Sequence, residues 1–201
     1  MSSLYAAAAH AFAEQVRALP ADGWDGPGLG EWDLRALVGH TSRSLVTVST
    51  YLQTTAERED VSSAHDYYAK IRDYASNVGA ADIVERGRQA GLALGDDPVA
   101  AVEALVSKAL DDVAAVDDPL IAVIGGLGIR LSNYLPTRLF EFVVHGLDIA
   151  RATGTTSPQP AAVVGEAAAL AARIAVEVAQ GEDVLLALTG RGPLPAGFSV
   201  V

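Results

Sequence analysis

Apolar positions recur at helical spacing through most of the chain. Leu4, Ala8, Ala11, Phe12 and Leu19 share one face and predict an amphipathic helix from about Ser3 to Leu19, stopped by Pro20. Residues 21–30 form a breaker cluster around Trp24, Pro27 and four glycines. Asp33 stands where an N-cap belongs, and a long second helix follows from Leu34 to about Thr54. The polar stretch Glu57–Asp97 predicts two shorter helices, Ala64–Ser76 and Ala81–Leu94. Val99–Val116 reads as a helix entered through Asp97-Pro98, with proline in the first turn. Residues 120–130 read as a glycine-laced apolar connector. Ser132 is placed to cap a helix that runs to about Thr153 and stops at Gly154. After Ser157-Pro158-Gln159-Pro160, an alanine-rich helix, Ala161–Ala179, leads to a short element, Asp183–Leu188, and a Gly/Pro-rich tail with room for a strand or two. The pattern predicts a mainly α fold: a four-helix bundle over residues 1–157, with a small C-terminal helical extension and short tail, 158–201, packed on it.

Composition supports a packed helical chain. Of 201 residues, 37 are alanine, 50% are hydrophobic and 19% are charged, which excludes overall disorder. The net charge of −11 leaves no basic cluster to displace counterions from phosphates, so nucleic acid is not an expected partner. With no cysteine there is neither a disulfide framework nor a thiolate metal site, and any thiol chemistry must import its thiol. The longest apolar run, Leu120–Ile129, holds three glycines and is too short to span a bilayer. The start lacks a basic n-region and soon meets Glu14, so it reads as a helix and not a signal peptide. A cytoplasmic protein without membrane association is the expectation.

One helix concentrates the chemistry. On Arg138-Leu-Phe-Glu141-Phe-Val-Val-His145-Gly-Leu-Asp148-Ile-Ala-Arg151, the side chains of Arg138, Glu141, His145 and Asp148 fall within a polar arc of about 80°. Most of the remaining circumference is apolar, so the helix is expected to be surrounded by others, with its charged stripe facing an internal cleft. Glu141 and His145, one turn apart, can ligate one metal ion; they can equally belong to an Arg–Glu–His–Asp ladder of ion pairs. On the second helix, His40 shares a face with Ser44, Thr47 and Tyr51, a polar but uncharged stripe suited to a pocket wall. His40, Glu141 and His145 together would supply three N/O ligands and leave a fourth position open, the pattern of catalytic zinc. Asp148 could then accept an imidazole N–H and fix its tautomer. His10 and His65 read as surface residues, and Gly125-Gly126-Leu127-Gly128 as a connector, since no Lys-Ser/Thr follows it.

Two blocks resemble a known family. Glu31-Trp32-Asp33-Leu34-Arg35-Ala36-Leu37-Val38-Gly39-His40 and the stretch from Tyr134 to Ala150 are similar to the two signatures of the mycothiol-dependent maleylpyruvate isomerases, within the DinB-like metal-binding helical bundles. The resemblance implies a DinB-like bundle and a divalent metal, usually zinc, held by His40, Glu141 and His145. It also implies a low-molecular-weight thiol such as mycothiol, whose thiolate attacks a small electrophilic substrate. Addition, rotation and elimination would make a cis-trans isomerase; addition alone would make an S-transferase. The full isomerase carries a further α/β domain, whereas about forty residues follow Pro160 here, so the substrate is left as a small electrophile. Arg138 could contact an anionic substrate or pair with Glu141 or Asp148. A metal-containing small-molecule-binding or accessory protein of the same fold, without turnover, is the alternative. The apolar helix Ala161–Ala179 could pack on the bundle or form a homodimer.

Overall fold

The computed structural model of the chain describes residues 1–76 and 79–201. Its described helices are α1 (Ser2–Arg17), α2 (Leu34–Tyr51), α3 (Ala64–Ser76), α4 (Ala80–Leu92), α5 (Pro98–Ala114), α6 (Leu131–Thr153), α7 (Ala161–Glu177) and α8 (Gly181–Leu188). A small antiparallel hairpin of β1 (Leu120–Ala122) and β2 (Gly128–Arg130) lies between α5 and α6. The mainly α bundle expected from the periodicity is therefore present.

Local chemistry sets several boundaries where the sequence puts them. Asp33 accepts a hydrogen bond from Ala36 N at 2.7 Å and starts α2. Asp97 accepts from Ala100 N at 3.0 Å, with Pro98 opening α5. Gly154, left-handed at φ 68°, ends α6. Asp33 is exposed, so Asp33→Ala removes the cap and little packing. It is expected to lower stability by about 1 kcal/mol, read as a shift in the denaturant midpoint at unchanged slope.

Four helices close into a ring: α1 packs on α6, α6 on α2, α2 on α5 and α5 on α1. Inside it, Tyr5 and Phe12 of α1, Leu37 and Leu45 of α2, Val102 of α5 and Phe142 of α6 are fully buried. The Phe142 ring lies 5.3 Å from that of Phe12 and 5.9 Å from that of Tyr5, within the range of favourable aromatic pairs. Around the ring, α4 lies along α2, α3 packs on α6 and α7, α7 also touches α6 and α1, and α8 rests on α7. No helix among the described residues is long and apolar enough to cross a membrane.

Three expectations are corrected. The apolar connector is a hairpin in which Ile121 pairs with Ile129, both fully buried. Its tip is made by Gly125 and Gly126 at φ 72° and 76°, conformations that suit glycine. Ser132 does not cap α6. The cap position is Arg130, and Asp118 captures the helix start by accepting from Ser132 N at 2.7 Å and from Ser132 Oγ at 2.9 Å. The tail after α8 forms no strand: Pro193 and Pro195 lack a free N–H, and Gly190 and Gly197 turn left-handed.

Candidate metal centre

The α2–α6 contact assembles the candidate site. His40 comes from α2, and Glu141 and His145 from α6. One donor atom from each lies within 4.8 Å of the others. The two imidazoles meet edge to face, with ring centres 4.9 Å apart. His145 Nε2 lies 3.3 Å from Glu141 Oε2, and its Nδ1 lies 3.2 Å from Asp148 Oδ2. Periodicity alone placed Glu141, His145 and Asp148 on one stripe. The tertiary packing adds His40 to it.

Each group is held from a second direction. The Trp32 ring stacks on His40 at 4.5 Å between centres, and its Nε1 donates to Val84 O of α4 at 2.9 Å. Gly87 of α4 makes room for that indole; a Cβ there would overlap the Trp32 ring. Tyr68 of α3 donates to Glu141 Oε1 at 2.7 Å and also lies 3.1 Å from Thr137 O. Burial, then the Glu141 charge, push the Tyr68 hydroxyl well above its usual range, so it remains a donor.

The electrostatics separate the two histidines. Burial and then the neighbouring His145 pull His40 down to about 4, so its imidazole is neutral near pH 7. For His145, burial acts in the same downward direction. Hydrogen bonds to Asp148 and Glu141 outweigh it and push the imidazole up to about 9. Burial would raise Glu141, but the His145 bond, Arg138 and Tyr68 hold it down to about 2.

The ion-pair ladder expected as an alternative is only partly formed. His145 links Glu141 to Asp148, and Arg151 Nη1 lies 3.9 Å from Asp148 Oδ1. Arg138 pairs with neither Glu141 nor Asp148 within 4 Å; its Nε donates to Thr137 Oγ1 at 3.0 Å. The ladder also leaves His40 without a role. His40 Nδ1 is buried with no hydrogen-bond partner among the described residues, a costly state for a ring nitrogen unless something else binds it. Two imidazoles and a carboxylate, with one nitrogen unpartnered, suit a divalent cation of the zinc type.

The predicted stripe of α2 lines a cavity of about 90 Å³ beside these groups: His40, Ser44, Thr47 and Tyr51 on one wall, Arg138 and Glu141 on another. Tyr134 donates to Thr47 Oγ1 at 3.1 Å, and the Tyr51 and Tyr134 rings meet edge to face at 5.7 Å. Two larger, shallower grooves of about 500 and 560 Å³, at the C-terminal end of α6 and around α7–α8, contain no such cluster of donors. His10 is exposed, and His65 lies 3.5 Å from Glu177 on the surface, both apart from the site.

Sequence reasoning missed Tyr67, Tyr68, Arg43 and Ile124. A signal for the tyrosines existed: Ala64, Tyr67, Tyr68 and Ile71 follow i, i+3, i+4, i+7, the spacing of a buried helix face. Ile124 reaches the cavity from the hairpin tip, which no local pattern announces.

Comparison with curated proteins and with solved structures gives no match. Residues 5–150 match the family described as the mycothiol maleylpyruvate isomerase N-terminal domain. That interval runs from the first bundle helix through Asp148 and contains the whole constellation, and the chain belongs to this family.

Proposed function

We propose that the chain is a divalent-metal-dependent enzyme that uses a low-molecular-weight thiol, of the mycothiol kind, on a small electrophile, as an S-transferase or cis-trans isomerase. The observation that carries this reading is the clustering of one donor atom each from His40, Glu141 and His145, with His40 Nδ1 buried and without a hydrogen-bond partner among the described residues, in a chain with no cysteine. His40, Glu141 and His145 would hold the cation, zinc being the best fit to this donor set. When bound, such an ion supplies acidity: a coordinated thiol loses its proton near neutral pH.

The chain's own side chains orient the centre. Asp148 fixes which His145 nitrogen carries its proton, and Tyr68 holds the Glu141 carboxylate in one rotamer. Trp32 packs its ring against His40, tilted by 33° at 4.5 Å between centres, and limits how that imidazole can turn. The polar wall of Ser44, Thr47 and Tyr51 gives an incoming molecule hydrogen-bonding groups.

Cobalt-loaded protein tests the reading. Adding mycothiol is expected to produce a sulfur-to-cobalt charge-transfer band in the near ultraviolet, absent with the S-methylated thiol. A spectrum unchanged at saturating thiol would overturn thiol coordination. Asp148→Asn keeps the shape of that side chain and removes its charge. It is expected to weaken zinc binding roughly 10–100-fold, measured by competition with a chromogenic chelator.

A further inference from the structure

The last helix, α8, is apolar but has no core to pack into. Its C-terminal half reads Val184-Leu185-Leu186-Ala187-Leu188, yet none of its residues is buried by the described residues. The helix before it, α7, turns Val163, Ala167, Leu170 and Ile174 into the bundle, and α8 rests on the outside of α7. A helix this short is marginal unless packing holds it. Leu185, Leu186 and Leu188 are exposed on α8, as is Val176 at the end of α7. Leu188, 78% exposed, is the most exposed large apolar residue among the described ones. Such a cluster on the surface marks a site of association.

The surface is complementary to itself in shape and in charge. At the start of α8, Val176, Ala179, Gly181 and Leu185 line a groove of about 560 Å³, with Glu182 and Asp183 among its walls. At the other end stands Leu188, followed by the exposed Arg191, whose side chain donates to Thr189 O at 3.2 Å. Two such helices laid antiparallel about a two-fold axis bring the end of each over the start of the other. The register that sets Arg191 of one copy against Glu182 of the second also sets Leu188 against Leu185, and so over the groove. An acidic partner would be repelled by Glu182 and Asp183, and a basic one by Arg191. A second copy meets each charge with its opposite.

We infer that α8, with the end of α7, is a self-association surface on which a second copy of this chain docks antiparallel. A helix of 8 residues is about 12 Å long, so the contact is smaller than the roughly 800 Å² per partner of a standard complex. The dimer is therefore reversible, with a dissociation constant on the order of micromolar. It depends on neither the metal nor the thiol of the functional reading.

Sedimentation velocity of the full chain, over a roughly thousandfold range of concentration centred on that value, is the test. The sedimenting species is expected to change from one chain to two. Leu188→Asp should weaken association roughly tenfold or more, because it carries a charge into an apolar groove. Glu182→Lys and Arg191→Glu should each weaken it several-fold, since each sets like charges against one another at both ends of the pair. An equal mixture of those two variants should recover most of the parental affinity, because the mixed pair has opposite charges at both ends. All three positions are exposed, so the variants should keep the parental far-ultraviolet spectrum. If Leu188→Asp loses helix, the mixture decides alone. A chain that stays single throughout overturns the inference and leaves the face to a different partner. Association indifferent to Leu188→Asp in a folded variant, or a mixture no tighter than its two components, overturns it too.

Discussion

Replacing His145 or His40 by alanine is expected to reduce bound divalent metal from near one per chain to background. In the proposed centre each would supply one of the three protein donors found among the described residues, so the loss should exceed the roughly 10–100-fold cost of removing an outer partner such as Asp148. His10→Ala and His65→Ala, both outside the cluster, should keep full loading. Elemental analysis of the four purified variants beside the parent decides the matter. A metal-free parent that also refuses added zinc would leave Glu141, His145 and Asp148 as an ion-pair ladder.

The same centre predicts a sign for the pH dependence. A ligand imidazole must be deprotonated, and His145 sits at about 9 because Asp148 and Glu141 outweigh the effect of burial. A metal bound at the proposed centre would therefore displace a proton from His145. His40, neutral at about 4, contributes none near pH 7. Apparent zinc affinity is expected to rise about tenfold per pH unit in the range below the His145 value. Calorimetry in buffers of different ionisation enthalpy should count close to one proton released per zinc.

The second large effect lies where two helices nearly touch. Gly39, the residue before His40 on α2, faces Gly91 of α4, and a Cβ at Gly39 would overlap the Ala90 and Gly91 backbone. Backbone cannot step aside as a flexible side chain can, so Gly39→Ala must push α4 off α2. Its cost is expected at the top of the roughly 1–3 kcal/mol typical of overpacking, or above it. For a chain of this size that is a fall in Tm on the order of 5–10 °C. Since α4 also anchors Trp32 through Val84 O, the variant should lose the Trp32–His40 contact as well. Gly165→Ala is the control. It is exposed in mid-α7 with open space around a Cβ, and should gain about 0.5–1 kcal/mol. Equal melting temperatures for both variants would mean that α2 and α4 do not pack this closely.

What the sequence determined by itself was local. Caps such as Asp33, Asp97 and Gly154 act within one helical turn, so the boundaries they set can be read without knowing any neighbour. The Glu141–His145–Asp148 stripe is equally local, because helix geometry alone puts residues three and four apart together. His40 could be proposed as their companion only through a second stripe and a family likeness. Tertiary structure decided the rest. It chose the register of α2 against α6 that brings His40 to His145 across about a hundred residues of chain. It brought Tyr68 to Glu141 across 73 positions. It also put Arg138 between two tyrosine rings and away from the carboxylates beside it on the wheel. Residues 120–130 became a hairpin because Ile121 and Ile129 are buried together, an outcome of long-range packing that a three-residue strand cannot announce. Helical periodicity says which face is buried; only the packed bundle says what it is buried against, and the chemistry of this site lies in that pairing.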